Sequence, residues 1–84
     1  MTEAPLVEVR ADEWDESLGC EPMMLFWYVA EGDAVAEGQE LCEIESAKAV
    51  FVITAPCSGV IEQILCPESA AVDSGHLLAT VRPA

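Results

Sequence analysis

Turn-forming residues interrupt this chain so often that only short extended segments fit between them. The longest uncharged apolar run, residues 23–30, is eight residues and stops at Glu31-Gly32-Asp33. Further stops stand at Glu37-Gly38-Gln39, at Pro56 with Ser58-Gly59, at Pro67 and at Pro83. Between them lie runs rich in β-branched and aromatic residues: Leu6, Val7 and Val9, then residues 23–29, 41–45, 49–54, 60–66 and 77–81. Residues 41–45 alternate, with Cys42 and Ile44 on one face and Glu43 and Glu45 on the other. No window of useful length repeats apolar residues at helical spacing. The pattern predicts an all-β fold, a sandwich or flattened barrel.

A sparse internal repeat underlies the strands. A shift of 37 residues carries Glu31 onto Glu68, Val35 onto Val72, Gly38 onto Gly75, Leu41 onto Leu78 and Ile44 onto Val81. Two similar halves about a pseudo-twofold axis would follow, each too small to bury its own apolar face. The segment Glu45-Ser46-Ala47-Lys48-Ala49 joins them. With 84 residues the chain is a single domain, 1–84, with short tails at 1–4 and 83–84. A fold of this size has little room for a deep catalytic cleft.

Charge narrows the partners. Sixteen acidic and three basic residues give a net charge of −13. Such a surface does not displace counterions from nucleic acid, nor does it settle on an anionic membrane. The apolar run of eight residues is far short of the roughly 20 that span a bilayer. Thirteen of the acids lie in residues 1–45, among them Asp12, Glu13, Asp15, Glu16 and Glu21 around Trp14. Two readings stand side by side: a solvated acidic face, and a docking surface for a basic partner. The cysteines Cys20, Cys42, Cys57 and Cys66 form no CxxC pair, and His76 is not at ligand spacing from them. No metal site is expected, and free thiols in a reducing cytoplasm fit their spacing.

Lys48 is the only lysine. It falls in a short spacer between two strands, where a solvated lysine is ordinary. A nucleophilic lysine needs a desolvating pocket, which a protruding turn lacks. A phosphate-binding loop needs GxxxxGK, which is absent. An attachment point for a prosthetic group needs only a reachable amine on a rigid support, and Lys48 meets that requirement.

The order of residues here resembles the biotinyl/lipoyl attachment domain family. The resemblance rests on Glu31-Gly32-Asp33-Ala34-Val35, Gly38, Leu41, Glu43-Ile44-Glu45-Ser46-Ala47-Lys48-Ala49 and Ala55-Pro56-Cys57-Ser58-Gly59-Val60, and continues through Ile64, Leu65, Val72, Gly75 and Leu78. It implies a flattened β-barrel of two four-stranded antiparallel sheets with pseudo-twofold symmetry, the attachment lysine lying on a protruding hairpin. The biotinyl branch brackets its lysine with methionines, and this chain has Ala47 and Ala49 instead. The lipoyl branch is favoured, with lipoate covalently attached at Lys48 and Glu45, Ser46, Ala47 and Ala49 as the hairpin residues that modifying enzymes read. Lipoyl domains of 2-oxo acid dehydrogenase acyltransferases usually carry aspartate where Ala47 stands. Glu45-Ser46-Ala47-Lys48-Ala49 also fits the ESxKA of glycine-cleavage H proteins, which are longer chains.

The function implied is that of a non-catalytic carrier whose arm shuttles acyl groups and reducing equivalents between active sites. Its implied partners are a lipoate ligase or lipoyl transferase, a thiamine-dependent 2-oxo acid decarboxylase, an acyltransferase core and a dihydrolipoyl dehydrogenase. The isolated domain is expected to be a monomer. A biotin carboxyl carrier, a glycine-cleavage H-like carrier and an unmodified β-barrel interaction module remain as alternatives. Gly32, Gly38, Gly59 and Gly75 are expected in tight turns, Asp33 as a cap within its turn and His76 on the surface. The resemblance gives the acidic loop 11–22 a part in partner recognition, while Trp14 could equally pack onto the barrel.

Overall fold

The computed structural model describes residues 5–11, 22–47 and 49–84. Seven strands make up the order: β1 (Val7–Arg10), β2 (Met23–Trp27), β3 (Ala34–Val35), β4 (Glu40–Glu45), β5 (Val50–Thr54), β6 (Gly59–Ile64) and β7 (Leu77–Pro83). They form two antiparallel sheets, β1-β7-β6-β3 and β2-β4-β5. Alternating side chains from both fill one core, including Met24, Leu41, Ile44, Ile61, Leu78 and Val81, each at most 1% exposed.

The sparse repeat is a structural one. Val35 and Val72, Leu41 and Leu78, and Ile44 and Val81 are buried as pairs. Hydrogen bonds repeat at the same offset of 37 residues and exchange between the halves. The Gly32 amide donates to the Ile61 carbonyl, and the Ser69 amide to that of Met24 (2.8 and 2.7 Å). Tyr28 N donates to Leu41 O as Leu65 N donates to Leu78 O, both at 2.8 Å. The carboxylate of Glu31 accepts from Ile64 N, and that of Glu68 from Trp27 N. Even the bulges correspond, between Met24 and Phe26 in β2 and between Ile61 and Gln63 in β6.

One strand of the expected second four is reduced to a single bridge. β3 pairs with β6 through Ala34↔Val60 and Val35↔Gly59. Its counterpart, Ala71-Val72, bridges β2 only at Met23↔Ala71. Val72 N donates to Pro22 O at 2.9 Å, but Pro22 stands where Gly59 stands and has no N–H to return the bond. A single missing donor therefore separates three strands from four.

Three sequence expectations need correction. Gly59 is not in a turn: it is buried in β6 opposite Pro83, and a Cβ there would run into the Arg82 carbonyl. His76 is half-buried, with Nδ1 accepting from Asp73 N at 3.4 Å. Residues 83–84 do not trail away. Pro83 lies in β7, and Ala84 N donates to Ser58 O at 3.0 Å. Asp33 does act as a cap, its Oδ2 accepting from Ala30 N at 2.9 Å. Trp14, Cys20 and loop residues 12–21 lie outside the described residues, as do residues 1–4.

Candidate functional site

The hairpin of β4 and β5 builds the site. Both strands alternate so that Ile44 and Ile53 face the core, while Glu43, Glu45, Val50 and Val52 face outward. The register runs Cys42↔Ile53, Glu43↔Val52, Ile44↔Phe51 and Glu45↔Val50. Pairing is thus kept up to the last residue of β4, and only residues 46–49 remain to turn the chain.

Ser46 closes that connection from both directions. Its amide donates to Ala49 O at 2.8 Å, its Oγ donates to the same carbonyl at 3.0 Å, and the Ala49 amide donates back to Oγ at 3.1 Å. A serine hydroxyl can donate and accept at once, so one side chain fixes both polar groups of Ala49. Sequence reading grouped Ser46 with the hairpin without this role. The signal available was a serine four residues before the start of β5.

The described members of the expected set therefore come together. Glu45 is exposed at the end of β4, Ser46 is half-buried, and Ala47 and Ala49 are exposed. Lys48, between them in sequence, lies outside the described residues. Chemically, residues 45–49 offer a carboxylate, a hydroxyl committed to the turn, two methyl groups and one amine.

Two thiols lie buried in the core, Cys42 on β4 and Cys66 after β6. Burial raises the Cys42 thiol to about 12, with the neighbouring Cys66 adding to the effect, and burial raises Cys66 as well. Neither is a thiolate nucleophile near neutral pH. The Trp27 indole N–H donates to Cys66 O at 2.8 Å and anchors the turn after β6 against β2.

Residues 17–81 match the family model described as "Biotin-requiring enzyme". The chain is 43% identical over 56 residues to the mitochondrial dihydrolipoyllysine-residue succinyltransferase component of the 2-oxoglutarate dehydrogenase complex of Mus musculus, covering 67% of this chain and 12% of that protein. It is 38% identical over 55 residues to the biotin carboxyl carrier protein of acetyl-CoA carboxylase of Streptococcus pyogenes serotype M6, covering 66% of this chain and 33% of that one. The chain thus spans only an eighth to a third of these relatives. Among solved structures, the lipoyl domain of the 2-oxoglutarate dehydrogenase complex of Azotobacter vinelandii superposes with a TM-score of 0.72 at 29% identity, covering 89% of this chain and 94% of that domain.

Proposed function

The chain belongs to the biotinyl/lipoyl attachment family as a lipoyl-type carrier domain, and we propose that its lipoate is joined by an amide to Nζ of Lys48. The observation that carries this reading is the four-residue connection closed on both sides by Ser46, within which the sequence sets the only lysine. The residues present fit the group. Ala47 and Ala49 are small and exposed, and β4 and β5 stay paired up to the connection that carries the lysine in sequence.

In forming the amide, the deprotonated lysine amine attacks the carbonyl carbon of an activated lipoyl group. The C–N bond forms, the bond to the leaving group breaks, and the nitrogen gives up a proton. Once attached, lipoate supplies a disulfide that can take up an acyl group and electrons. The chain's own residues hold and present the base of that arm, and perform no bond chemistry of their own. Tethering raises the effective concentration of the carried group at each active site it visits.

The likeness to a 2-oxoglutarate dehydrogenase component supports partners within a complex of that type. As the finer reading we propose a lipoate-attaching enzyme, then a thiamine-dependent decarboxylase, an acyltransferase and a dihydrolipoyl dehydrogenase. The test is intact mass after co-expression with a lipoate ligase and, separately, with a biotin ligase. A lipoyl adduct on the wild type and none on Lys48→Arg is expected. A biotinyl adduct alone, or an adduct persisting in Lys48→Arg, overturns the assignment.

A further inference from the structure

The pseudo-twofold gives this domain two equivalent outer sheet faces, so each serves as a control for the other. On the β1-β7-β6 face the charges cancel. Arg10 pairs with Glu8 at 2.9 Å, and Arg82 pairs with Glu62. The offset of 37 residues carries Glu62 onto Leu25 and Arg82 onto Glu45. The strand registers carry Glu8, opposite Thr80, onto Val52, opposite Glu43.

The β2-β4-β5 face is therefore built to another plan. Met23, Glu45 and Val50 form one row across its strands, and Phe26, Glu43 and Val52 the next. Met23, Leu25, Val50 and Val52 are 45%, 37%, 52% and 42% exposed. Met23 and Val50 have exposed apolar counterparts in Val60 and Leu6, so the two faces differ at Leu25, Val52 and Glu45. Tyr28 stacks edge-on against Phe26 and hydrogen-bonds the Glu43 carboxylate, which extends the apolar area around that acid. Both arginines of the chain are committed to the opposite face. Here carboxylates stand among exposed apolar side chains with no arginine to neutralise them.

We propose that the outer face of β2-β4-β5 is where the lipoate-attaching enzyme docks, meeting Glu43 and Glu45 with an arginine or lysine set among apolar side chains. This rests on the lipoyl reading above. The apolar positions exclude water, and the carboxylates set orientation and encounter rate. Reach selects the attaching enzyme over the later partners. An unmodified lysine has only its own short stem, and its amine must enter an active site to meet the activated acyl group. The sheet face continuous with the hairpin, through Glu45 and Val50, then lies against the rim of that site. Later partners meet a lysine already lengthened by its lipoyl group and need less of the face.

The internal twin supplies the test. Leu25→Glu with Val52→Glu gives this face the residues that the other face already carries at Glu62 and Glu8. The reciprocal pair, Glu62→Leu with Glu8→Val, is the control. Initial rates of lipoylation by a purified lipoate ligase, with lipoate and ATP, are followed by intact mass against domain concentration at low and high salt. Thermal melts confirm that each variant is folded. The first pair is expected to raise KM about tenfold or more with kcat held, and the control to stay within about twofold. Wild-type kcat/KM is expected to fall as salt rises. An unchanged KM for folded Leu25→Glu/Val52→Glu overturns the docking face while the carrier reading stands. A wild type that accepts no lipoate overturns the carrier reading itself.

Discussion

Ser69 holds the left-handed backbone conformation that Gly32 holds at the equivalent place in the other half, with φ of +73° against +92°. Each amide donates across the pseudo-twofold to a strand carbonyl, of Met24 and Ile61 respectively. The geometry is needed twice, but only one half meets it with glycine. An L-residue in this region suffers a clash between Cβ and backbone costing about 1–2 kcal/mol, partly offset by the greater entropy glycine loses on folding.

Ser69→Gly is therefore expected to stabilise the domain by about 0.5–1 kcal/mol, and Gly32→Ser to destabilise it by a similar amount. For a domain of this size the melting temperature should move by roughly 4–8 °C per kcal/mol. A lower melting temperature for Ser69→Gly would show that the serine side chain contributes something the backbone argument omits.

Gly59 is constrained by space and not by φ. It lies opposite Pro83, and a methyl group would meet the Arg82 carbonyl and the Pro83 Cα. All of these are backbone atoms, so relief requires β6 and β7 to part. Gly59→Ala should cost about 2–3 kcal/mol, visible as a lower midpoint in urea. Gly38→Ala is the contrast: nothing lies within 4 Å of its would-be Cβ, and its strain comes from φ of +84° alone. Equal losses at both positions would count against this distinction.

What could be read in the sequence was whatever depends on neighbours along the chain. The runs that became β2, β6 and β7 and the outer ends of β4 and β5 are marked by glycine or proline, and the offset joining Leu41 to Leu78 fixed the two-half plan. Features that depend on the second chain segment were hidden. Ala34–Val35 is too short to register as a strand until β6 lies beside it. Gly59 looked like any turn glycine because the close approach of Arg82 is a tertiary fact. The family resemblance implied four strands in each sheet, and the loss of one pairing follows from Pro22 facing Val72. At the candidate site, the residue types at 45–49 are plain in the sequence, whereas the unlike outer faces emerge only once the pseudo-twofold matches Leu25 with Glu62 and Glu45 with Arg82.

Thr80 is 9% exposed, and its Oγ1 has no hydrogen-bond partner among the described residues. A buried hydroxyl without a partner keeps its desolvation cost unrepaid. Valine has nearly the same shape and suits a strand. Thr80→Val should raise stability by about 1 kcal/mol in denaturant titrations. A loss of stability would reveal a partner for the hydroxyl.

The buried thiols give the domain a limit at high pH. Cys42 is raised from 9.0 to about 12, and Cys66 is also raised, in both cases because the core excludes water from the thiolate. Below about pH 9 both thiols are neutral in the folded and the unfolded chain, and the full stability is present. Between about pH 9 and 12 the unfolded chain ionises Cys42 while the folded chain does not. Protons are then bound preferentially by the native state, so stability falls as pH rises, by roughly 1.4 kcal/mol per pH unit for a fully separated thiol. Cys42→Ala should lose about 1 kcal/mol at pH 8 through lost packing, yet decline less steeply than wild type between pH 9 and 11. Urea titrations across that range compare the two slopes directly. Native alkylation gives a second reading, since half-buried Cys57 should react with iodoacetamide well before Cys42 or Cys66. Parallel slopes for wild type and Cys42→Ala, or early alkylation of Cys42, would place the alkaline loss in some other group.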